Sequence, residues 1–242
     1  MNWKANLIKM TIAITVALSG CGSNIYAPLQ SQDPADEAAR YLEQGKPQKA
    51  IDLLEKALAD DEGNATYISM LALSYAQRAG VAPIDFVENM GSVDSGGGSG
   101  GGSSSNGITA LFGVTPAATT SAIEDVDYAI SLMGQLPTDA FTDAEKLKLS
   151  IFQTASTVLK IKILDTDGDG TVSISEMLNL TDATAESIVL GLINASSLLS
   201  GGGASASSGG DAAASLISGM VSGINGQSGS TSRDKLAGYL SS

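Results

Sequence analysis

Two long runs of small residues interrupt this 242-residue chain and limit which parts of it can form a packed core. The first, residues 95–107, contains seven Gly, five Ser and one Asn, and the second, residues 200–210, consists only of Gly, Ser and Ala. Chains of this composition behave as flexible coil. The first run also lacks the G-x-x-x-x-G-K-[ST] ending of a phosphate loop, and no strand is predicted before it, so we expect no nucleotide binding.

The net charge of the chain limits the kinds of molecule that it is expected to bind. Asp and Glu number 26 against 13 Lys and Arg, which gives a net charge of -13 and a sequence pI near 4.2. Such a chain repels phosphate backbones, so we expect no nucleic-acid partner, whereas cations and basic protein surfaces are attracted. With no His and one Cys, the chain lacks the residues for the usual Cys/His zinc sites, for Ser-His or Cys-His catalysis and for an internal disulfide.

The first twenty residues have the composition of a signal peptide. Lys4 and Lys9 precede a short apolar stretch, residues 10–18, which is too short to span a bilayer. The segment ends in Leu-Ser-Gly-Cys at residues 18–21, which resembles the lipobox of bacterial lipoproteins. The resemblance implies that Cys21 bears the lipid and becomes the first residue of the mature protein.

A lipid on Cys21 would anchor the protein without spanning the membrane, since each buried CH₂ of an acyl chain contributes about 0.8 kcal/mol. Gly22 rather than Asp follows the cysteine, which on the resemblance to such lipoproteins implies the outer membrane of a two-membrane bacterium, with the body facing the periplasm. Residues 21–32 are short and polar, and we expect them to be a lipidated tether.

Residues 33–92 are predicted to be helical, and identical residues recur in this region at a spacing of 34. Asp33 before Pro34 predicts one helix start, Pro47 a second and Asn64 a third. Ala38 and Ala72 are 34 residues apart, as are Tyr41 and Tyr75, so the region resembles one and a half tetratricopeptide repeats. The resemblance implies helical hairpins and a surface that docks peptides or proteins. Residues 82–90, where the next helix of the repeat is due, depart from the pattern.

Residues 108–199 contain two predicted helix starts of the capping-box type, Ser121-x-x-Glu124 and Thr142-x-x-Glu145. The first helix is predicted to bury Val126 and Met133 among others, and the second to run to Leu164. Residues 200–242 are predicted to hold the second Gly/Ser-rich segment and C-terminal helices. One of these, residues 211–224, is expected to dock weakly on the body.

Twelve residues directly after that second helix, 165–176, read DTDGDGTVSISE and match an EF-hand calcium loop at every constrained position. Calcium needs 6–8 oxygen ligands, which a short peptide supplies only by wrapping around the ion. The predicted ligands are the carboxylates of Asp165, Asp167 and Asp169, the backbone carbonyl of Thr171, Ser173 through water and both carboxylate oxygens of Glu176.

Three further residues support this interpretation of the loop. Gly170 stands where the loop turns sharply, and Val172 stands where EF-hand proteins place an apolar residue that joins the core. Ser173-x-x-Glu176 is also a capping box, so the exit helix is predicted to begin inside the loop and to run through Leu180. No second loop of this kind occurs in the chain. Since a lone extracellular loop meets abundant calcium, a structural role is favoured over a sensing one.

The sequence therefore predicts an all-α protein: tetratricopeptide-like hairpins and one EF-hand helix-loop-helix, joined by linkers at 93–107 and 200–210. The predicted function is a membrane-anchored, calcium-binding lipoprotein that acts as an interaction or assembly module with another envelope protein, and not as an enzyme. The alternative is a carboxylate-dependent hydrolase of the cell envelope with a structural calcium site. It would require a facing pair of buried carboxylates in a cleft away from the loop.

Overall fold

The protein is described from a computed structural model. The structure describes residues 33–95, 107–137, 139, 141–177, 179–203 and 210–241. All regular structure within these ranges is helical, with no strand, so the all-α prediction is confirmed. The predicted signal peptide, Cys21, the tether and most of the two Gly/Ser-rich runs lie outside the described residues.

The helices are labelled in chain order. The first part of the chain forms α1 (Pro34–Glu43), α2 (Pro47–Asp60), α3 (Ala65–Arg78) and α4 (Pro83–Ser95). The remainder forms α5 (Gly107–Leu111), α6 (Thr120–Met133), α7 (Asp143–Lys162), α8 (Ile174–Met177), α9 (Asp182–Ser200), α10 (Gly210–Asn225) and α11 (Ser232–Leu240).

Short polar side chains start these helices where the sequence predicts. Asp33 accepts a hydrogen bond from the backbone N–H of Ala35 at 2.9 Å, and Pro34 opens α1. The Oδ1 atom of Asn64 accepts from two backbone N–H groups of the first turn of α3. Each cap satisfies donors that have no partner within the helix, so the predictions for both helix starts are confirmed.

Of the two capping boxes predicted for α6 and α7, one is confirmed and one is wrong. Thr142 and Glu145 satisfy each other's backbone N–H groups at the start of α7. At the start of α6 the cap is Thr119, whose hydroxyl accepts from the N–H of Ala122 at 3.1 Å. Thr119 has the extended backbone that a cap requires, whereas Ser121 already lies inside the helix.

Neighbouring helices pack into one continuous core. The first two helices pack on each other, and α3 packs on both. The outer side of α3 is covered by α6, followed by α7, α9 and then α10 with α11. Ala38 and Ala72, which are 34 residues apart, are both fully buried. This burial agrees with packed helices, while the tetratricopeptide architecture remains a prediction.

Two helices, α4 and α10, take places in the core that the sequence patterns do not predict. The helix α4 packs on α7 and α10, and the place beside α3 belongs to α6. The helix α10 is an integral part of the core and not a weakly docked element, because Ala213, Ile217, Met220 and Ile224 are each about 1% exposed. A Cβ at Gly223 of α10 would clash with the ring of Tyr239, so this glycine allows α10 and α11 to approach closely.

One described helix, α9, is long and apolar enough to cross a membrane by length and composition. Its mean hydropathy reaches 1.2 over 18 residues, and 28% of that window is buried. Its buried side is formed by Ala185, Ile188, Leu192, Ala195 and Leu199. These residues pack toward α7 and α10, so the apolar character of α9 is used in the core on that side.

Candidate metal centre

The predicted metal loop, residues 165–176, leaves the end of α7 and returns into the single-turn helix α8. Two glycines in the loop take left-handed backbone conformations, Gly168 with φ of +74° and Gly170 with φ of +83°. A Cβ on either residue would meet no neighbouring atom. Glycine is therefore required by the backbone angle and not by lack of space.

Each loop aspartate is held by hydrogen bonds from the loop backbone. Asp165 accepts from the N–H of Gly168 at 2.8 Å and from that of Gly170 at 3.0 Å. Asp167 accepts from the N–H of Asp169 at 3.2 Å, and Asp169 accepts from the N–H and hydroxyl of Thr171 at 2.8 and 2.7 Å. These bonds orient the three carboxylates without help from residues outside the loop.

The three aspartates converge on one point. One carboxylate oxygen from each of Asp165, Asp167 and Asp169 lies within 4.8 Å of the other two. Two oxygens on one calcium ion are at most about 5 Å apart, since each bond measures 2.3–2.6 Å. Asp167 and Asp169 are exposed and Asp165 is half-buried, so the cluster faces solvent. This Asp cluster could hold a metal ion, and its oxygen donors suit a hard cation.

Glu176, the last residue of the loop, lies outside this cluster and closes the loop by other contacts. Its Oε1 accepts from the N–H of Thr166 at 2.7 Å and from the Thr166 hydroxyl. Its Oε2 accepts from the N–H and the hydroxyl of Ser173, both at 2.9 Å. The predicted Ser173 to Glu176 capping box is confirmed, since the Ser173 hydroxyl also accepts from the N–H of Glu176.

These hydrogen bonds set the ionisation of Glu176. The backbone N–H groups of Ser173 and then Thr166, followed by the Ser173 hydroxyl, lower the pKa of the Glu176 carboxyl to about 2. The side chain is a carboxylate at neutral pH and adds a fourth negative charge beside the aspartates. Among the ion pairs of the described residues, none involves Asp165, Asp167, Asp169 or Glu176.

The flanks of the loop agree only in part with the sequence. Val172 is 7% exposed and belongs to the core, as predicted. The exit helix is shorter than expected, because α8 ends at Met177 and a new helix, α9, begins after Thr181. The Thr181 hydroxyl accepts from the N–H of Thr184 and so supplies a fresh cap. A strong cap at this point favours restarting a helix over continuing α8.

A lysine at the end of α7, just before the loop, holds the segment between α5 and α6 against that helix end, a contact that no sequence pattern predicts. Lys162 donates from Nζ to the carbonyl oxygens of Phe112, Thr115 and Pro116, at 2.6, 3.1 and 3.2 Å. Burial lowers the pKa of Lys162, and the nearby Asp165 opposes that change. The partners come from a segment about fifty residues earlier, so no local pattern could identify them.

Thr166 is a second residue of the site that the sequence does not indicate. Its hydrogen-bond partner, Glu176, lies ten residues away in the chain. The other predicted ligands lie within the loop, where Thr171 donates to Asp169 and Ser173 donates to Glu176. Across the described ranges, Glu176 is the one charged residue among the buried polar side chains.

Known proteins offer no further constraint on this site. Comparisons with protein-family models, with curated proteins and with solved structures gave no match to this chain.

Proposed function

We propose that residues 165–176 bind calcium as a single EF-hand-type loop and that the protein is a calcium-stabilised interaction module held at a membrane. The observation that carries the proposal is the convergence of Asp165, Asp167 and Asp169 within 4.8 Å. The three carboxylates come from alternate residues of one loop, and they are oriented by that loop's own N–H groups.

Calcium fits this set of donors better than magnesium. Magnesium demands near-ideal octahedral geometry at 2.0–2.1 Å and keeps several waters, whereas calcium accepts 6–8 oxygens in flexible geometry. We propose that the backbone carbonyl of Thr171, Ser173 through water and the two oxygens of Glu176 complete the ligand set. Glu176 would exchange its hydrogen bonds to Thr166 and Ser173 for the ion. The bound ion would supply the positive charge that offsets these carboxylates.

The position of the loop favours a structural role for the ion. The loop joins α7, which packs against α6 and α9, to α8, which contacts α11. Offsetting the four negative charges at this junction would stabilise the folded state. An extracellular site of this kind typically has a Kd of about 10⁻⁴–10⁻³ M. At the calcium concentrations outside a cell, most of the protein would carry the ion, which would stabilise the junction of α7 and α8.

The anchoring part of the proposal is supported by sequence. The lipobox-like residues 18–21 follow an apolar stretch, and Cys21 is the sole cysteine of the chain. A lipid on Cys21 would keep the helical body at the cell envelope, and the net charge of -13 favours a partner protein with a basic surface. We propose another envelope protein as that partner.

Isothermal titration of the full chain in detergent tests the calcium site. We expect one site with a Kd of about 10⁻⁴–10⁻³ M, loss of binding in Asp165→Ala, and unchanged binding in the control Asp60→Ala, an exposed aspartate on α2. Absence of binding up to about 10 mM calcium in the unaltered chain would show that the loop is not a calcium site.

The interaction role needs its own experiment. The protein would be recovered from native membranes by an affinity tag, in calcium and in chelator, beside the Asp165→Ala variant. We expect one envelope protein to co-purify in calcium and to be reduced both in chelator and in the variant. Recovery of the lipidated chain alone in both conditions would contradict an interaction module while leaving the calcium site intact.

A further inference from the structure

An open groove runs over α3 between α2 and α6, with a volume of about 370 Å³. On the α2 side it is lined by Glu55 and Leu58, with Glu62 in the turn after that helix. On the α6 side it is lined by Tyr128 and by Gln135, just beyond the helix end. A volume near the lower end of the range for ligand sites suits one or two side chains of a partner. We call this feature the Tyr128 groove.

The surface of the groove that a partner can touch is aromatic and aliphatic. Tyr128 is 44% exposed, and Leu58 is half-buried. The residues beneath them, Ile68, Leu71 and Leu132, are at most 5% exposed and only support this surface. A partner side chain would therefore lie against the ring of Tyr128 and the side chain of Leu58, and not enter a deep cavity.

The groove carries negative charge without a counter-ion. Glu55 and Glu62 are exposed, no lysine or arginine lines the groove, and neither carboxylate takes part in an ion pair of the described residues. Arg78 is near enough to interact with the charge of Glu55, but its guanidinium is bound to Asp125 and Gln48. The last turn of α2 has no basic residue either, although the C-terminus of a helix attracts cations. The groove therefore complements a positively charged side chain.

The neighbouring Tyr75 already holds a cation in the way that we infer for Tyr128. The rings of Tyr75 and Tyr128 are in edge-to-face contact, with centroids 4.6 Å apart. The guanidinium of Arg78 lies 4.6 Å from the centroid of Tyr75. The Tyr75 hydroxyl donates to Glu55 at 2.7 Å and so holds that carboxylate beside the two rings. Within the described residues no cation lies over Tyr128, the more exposed ring, so its site is open to a partner.

We propose that the Tyr128 groove docks an arginine side chain of a partner protein. The guanidinium stacks on Tyr128 and pairs with the carboxylates of Glu55 and Glu62, while its methylene groups lie against Leu58. Arginine suits this site better than lysine, because a planar guanidinium stacks on aromatic rings and donates two parallel hydrogen bonds to a carboxylate. The inference rests on the proposed interaction role and adds the surface and the chemistry of the partner. One wall belongs to α6, outside residues 33–92, so the groove is not a feature of the tetratricopeptide resemblance.

Two peptides that differ in one charged group test the proposal. One is acetyl-Ala-Leu-Arg-Leu-Ala-amide, and the other carries citrulline, which is neutral and nearly the same shape, in place of arginine. NMR titrations would use the full chain in detergent, isotopically labelled at its tyrosine rings, with the Tyr128 signal identified by its loss in Tyr128→Phe. We expect saturable shifts of this signal with a Kd of about 1 mM or below for the arginine peptide. Binding of the citrulline peptide should be weaker by at least about fivefold.

Charge variants separate the groove from the general acidity of the chain. Glu55→Gln combined with Glu62→Gln should weaken binding of the arginine peptide by at least about fivefold. The matched control, Glu88→Gln combined with Glu186→Gln, removes the same charge from exposed positions on α4 and α9 and should change binding little. Tyr128→Leu keeps an apolar side chain without the ring, and it should reduce the preference for arginine over citrulline. The melting temperature should not fall in the groove variant, because both of its carboxylates are exposed.

Three results of the titrations would overturn the proposal. They are an unchanged Tyr128 signal up to about 10 mM arginine peptide, equal binding of the two peptides, and equal weakening by the groove and control variants. The last result would assign the attraction to the net charge of -13 and not to the groove.

Recovery from native membranes distinguishes failure of the groove from failure of the interaction role. If the Glu55→Gln, Glu62→Gln variant recovers the same partner in the same amount as the unaltered chain, the groove is not the docking surface although the interaction role stands. If the unaltered chain recovers no partner in calcium, the interaction role fails, and the peptide titrations still decide whether the groove binds arginine.

Discussion

The guanidinium of Arg78 on α3 donates two hydrogen bonds to the carboxylate of Asp125 on α6. Nε donates to Oδ2 at 2.8 Å, and Nη2 donates to Oδ1. The same guanidinium donates to Gln48 on α2 at 2.7 Å and stacks over the ring of Tyr75. One side chain therefore connects three helices, and it joins two that are adjacent in space although α4 and α5 lie between them in the chain.

A double-mutant cycle should reveal this connection in the free energy of unfolding. Arg78→Met and Asp125→Asn, singly and together, should give a coupling of about 1 kcal/mol, because two-point pairs with partial burial exceed ordinary surface pairs. The control is Arg40 with Glu37, a more exposed pair within α1, for which we expect about 0.3 kcal/mol. Equal couplings in denaturant titrations would mean that the two-point geometry adds nothing.

Calcium should raise the melting temperature. At a hundredfold excess over Kd, binding adds about 2.7 kcal/mol to the free energy of unfolding, which corresponds to roughly 5–10 °C for a chain of this size. Glu176→Gln should remove most of that increase, whereas the exposed Glu124→Gln should keep it. Melting curves in calcium, magnesium and chelator measure the effect, and equal temperatures in calcium and chelator would contradict it.

Replacing Lys162 should destabilise the whole molecule. Lys162→Met leaves the carbonyl oxygens of Phe112, Thr115 and Pro116 without their shared donor, so we expect a loss of about 1–3 kcal/mol. Lys56→Met, at an exposed position on α2, should change stability by less than about 0.5 kcal/mol. Denaturant titrations compare the two variants, and similar losses would show that the three hydrogen bonds contribute little.

Lys148 should make stability depend on alkaline pH. Burial lowers the pKa of its ammonium below 10.5, and Glu145 opposes this only in part, while the Ser69 hydroxyl accepts from Nζ at 3.2 Å. Because the folded state binds this proton less tightly, the destabilising contribution is complete below the folded pKa. It disappears as the pH rises from there to 10.5.

Lys148→Met should therefore stabilise the protein most at neutral pH. Its advantage in free energy of unfolding over the unaltered chain should shrink as the pH approaches 10.5, whereas the exposed Lys56→Met should show no such trend. Denaturant titrations at several pH values test this. A difference that stays constant with pH would exclude Lys148 as the cause.

Replacing Cys21 should release the protein from the membrane. We expect Cys21→Ser to appear in the soluble fraction or to remain unprocessed with its first twenty residues attached, because the lipid-bearing thiol is missing. Mass spectrometry of the unaltered chain should show acyl chains on residue 21. A mature Cys21→Ser protein that stays in the membrane fraction would refute lipidation.

Local chemistry explains which features could be predicted from sequence. The caps Asp33, Asn64 and Thr142 accept hydrogen bonds from N–H groups two or three residues away. The sequence pattern that predicts each cap and the hydrogen bond that forms it therefore lie in the same short segment. The sequence pattern places the start of α6 two residues too late, because Thr119 and Ser121 both offer a hydroxyl. Which hydroxyl caps the helix depends on where the chain leaves the preceding turn.

Helix periodicity and loop hydrogen bonds act over a few residues, so the all-α class and the clustering of three aspartates in residues 165–176 follow from local sequence. Tertiary packing, by contrast, sets the position of α6 beside α3 and the contact of Lys162 with residues 112–116. Those arrangements join segments separated by tens of residues. They follow from how many apolar faces pack together at once, which no short stretch of sequence encodes.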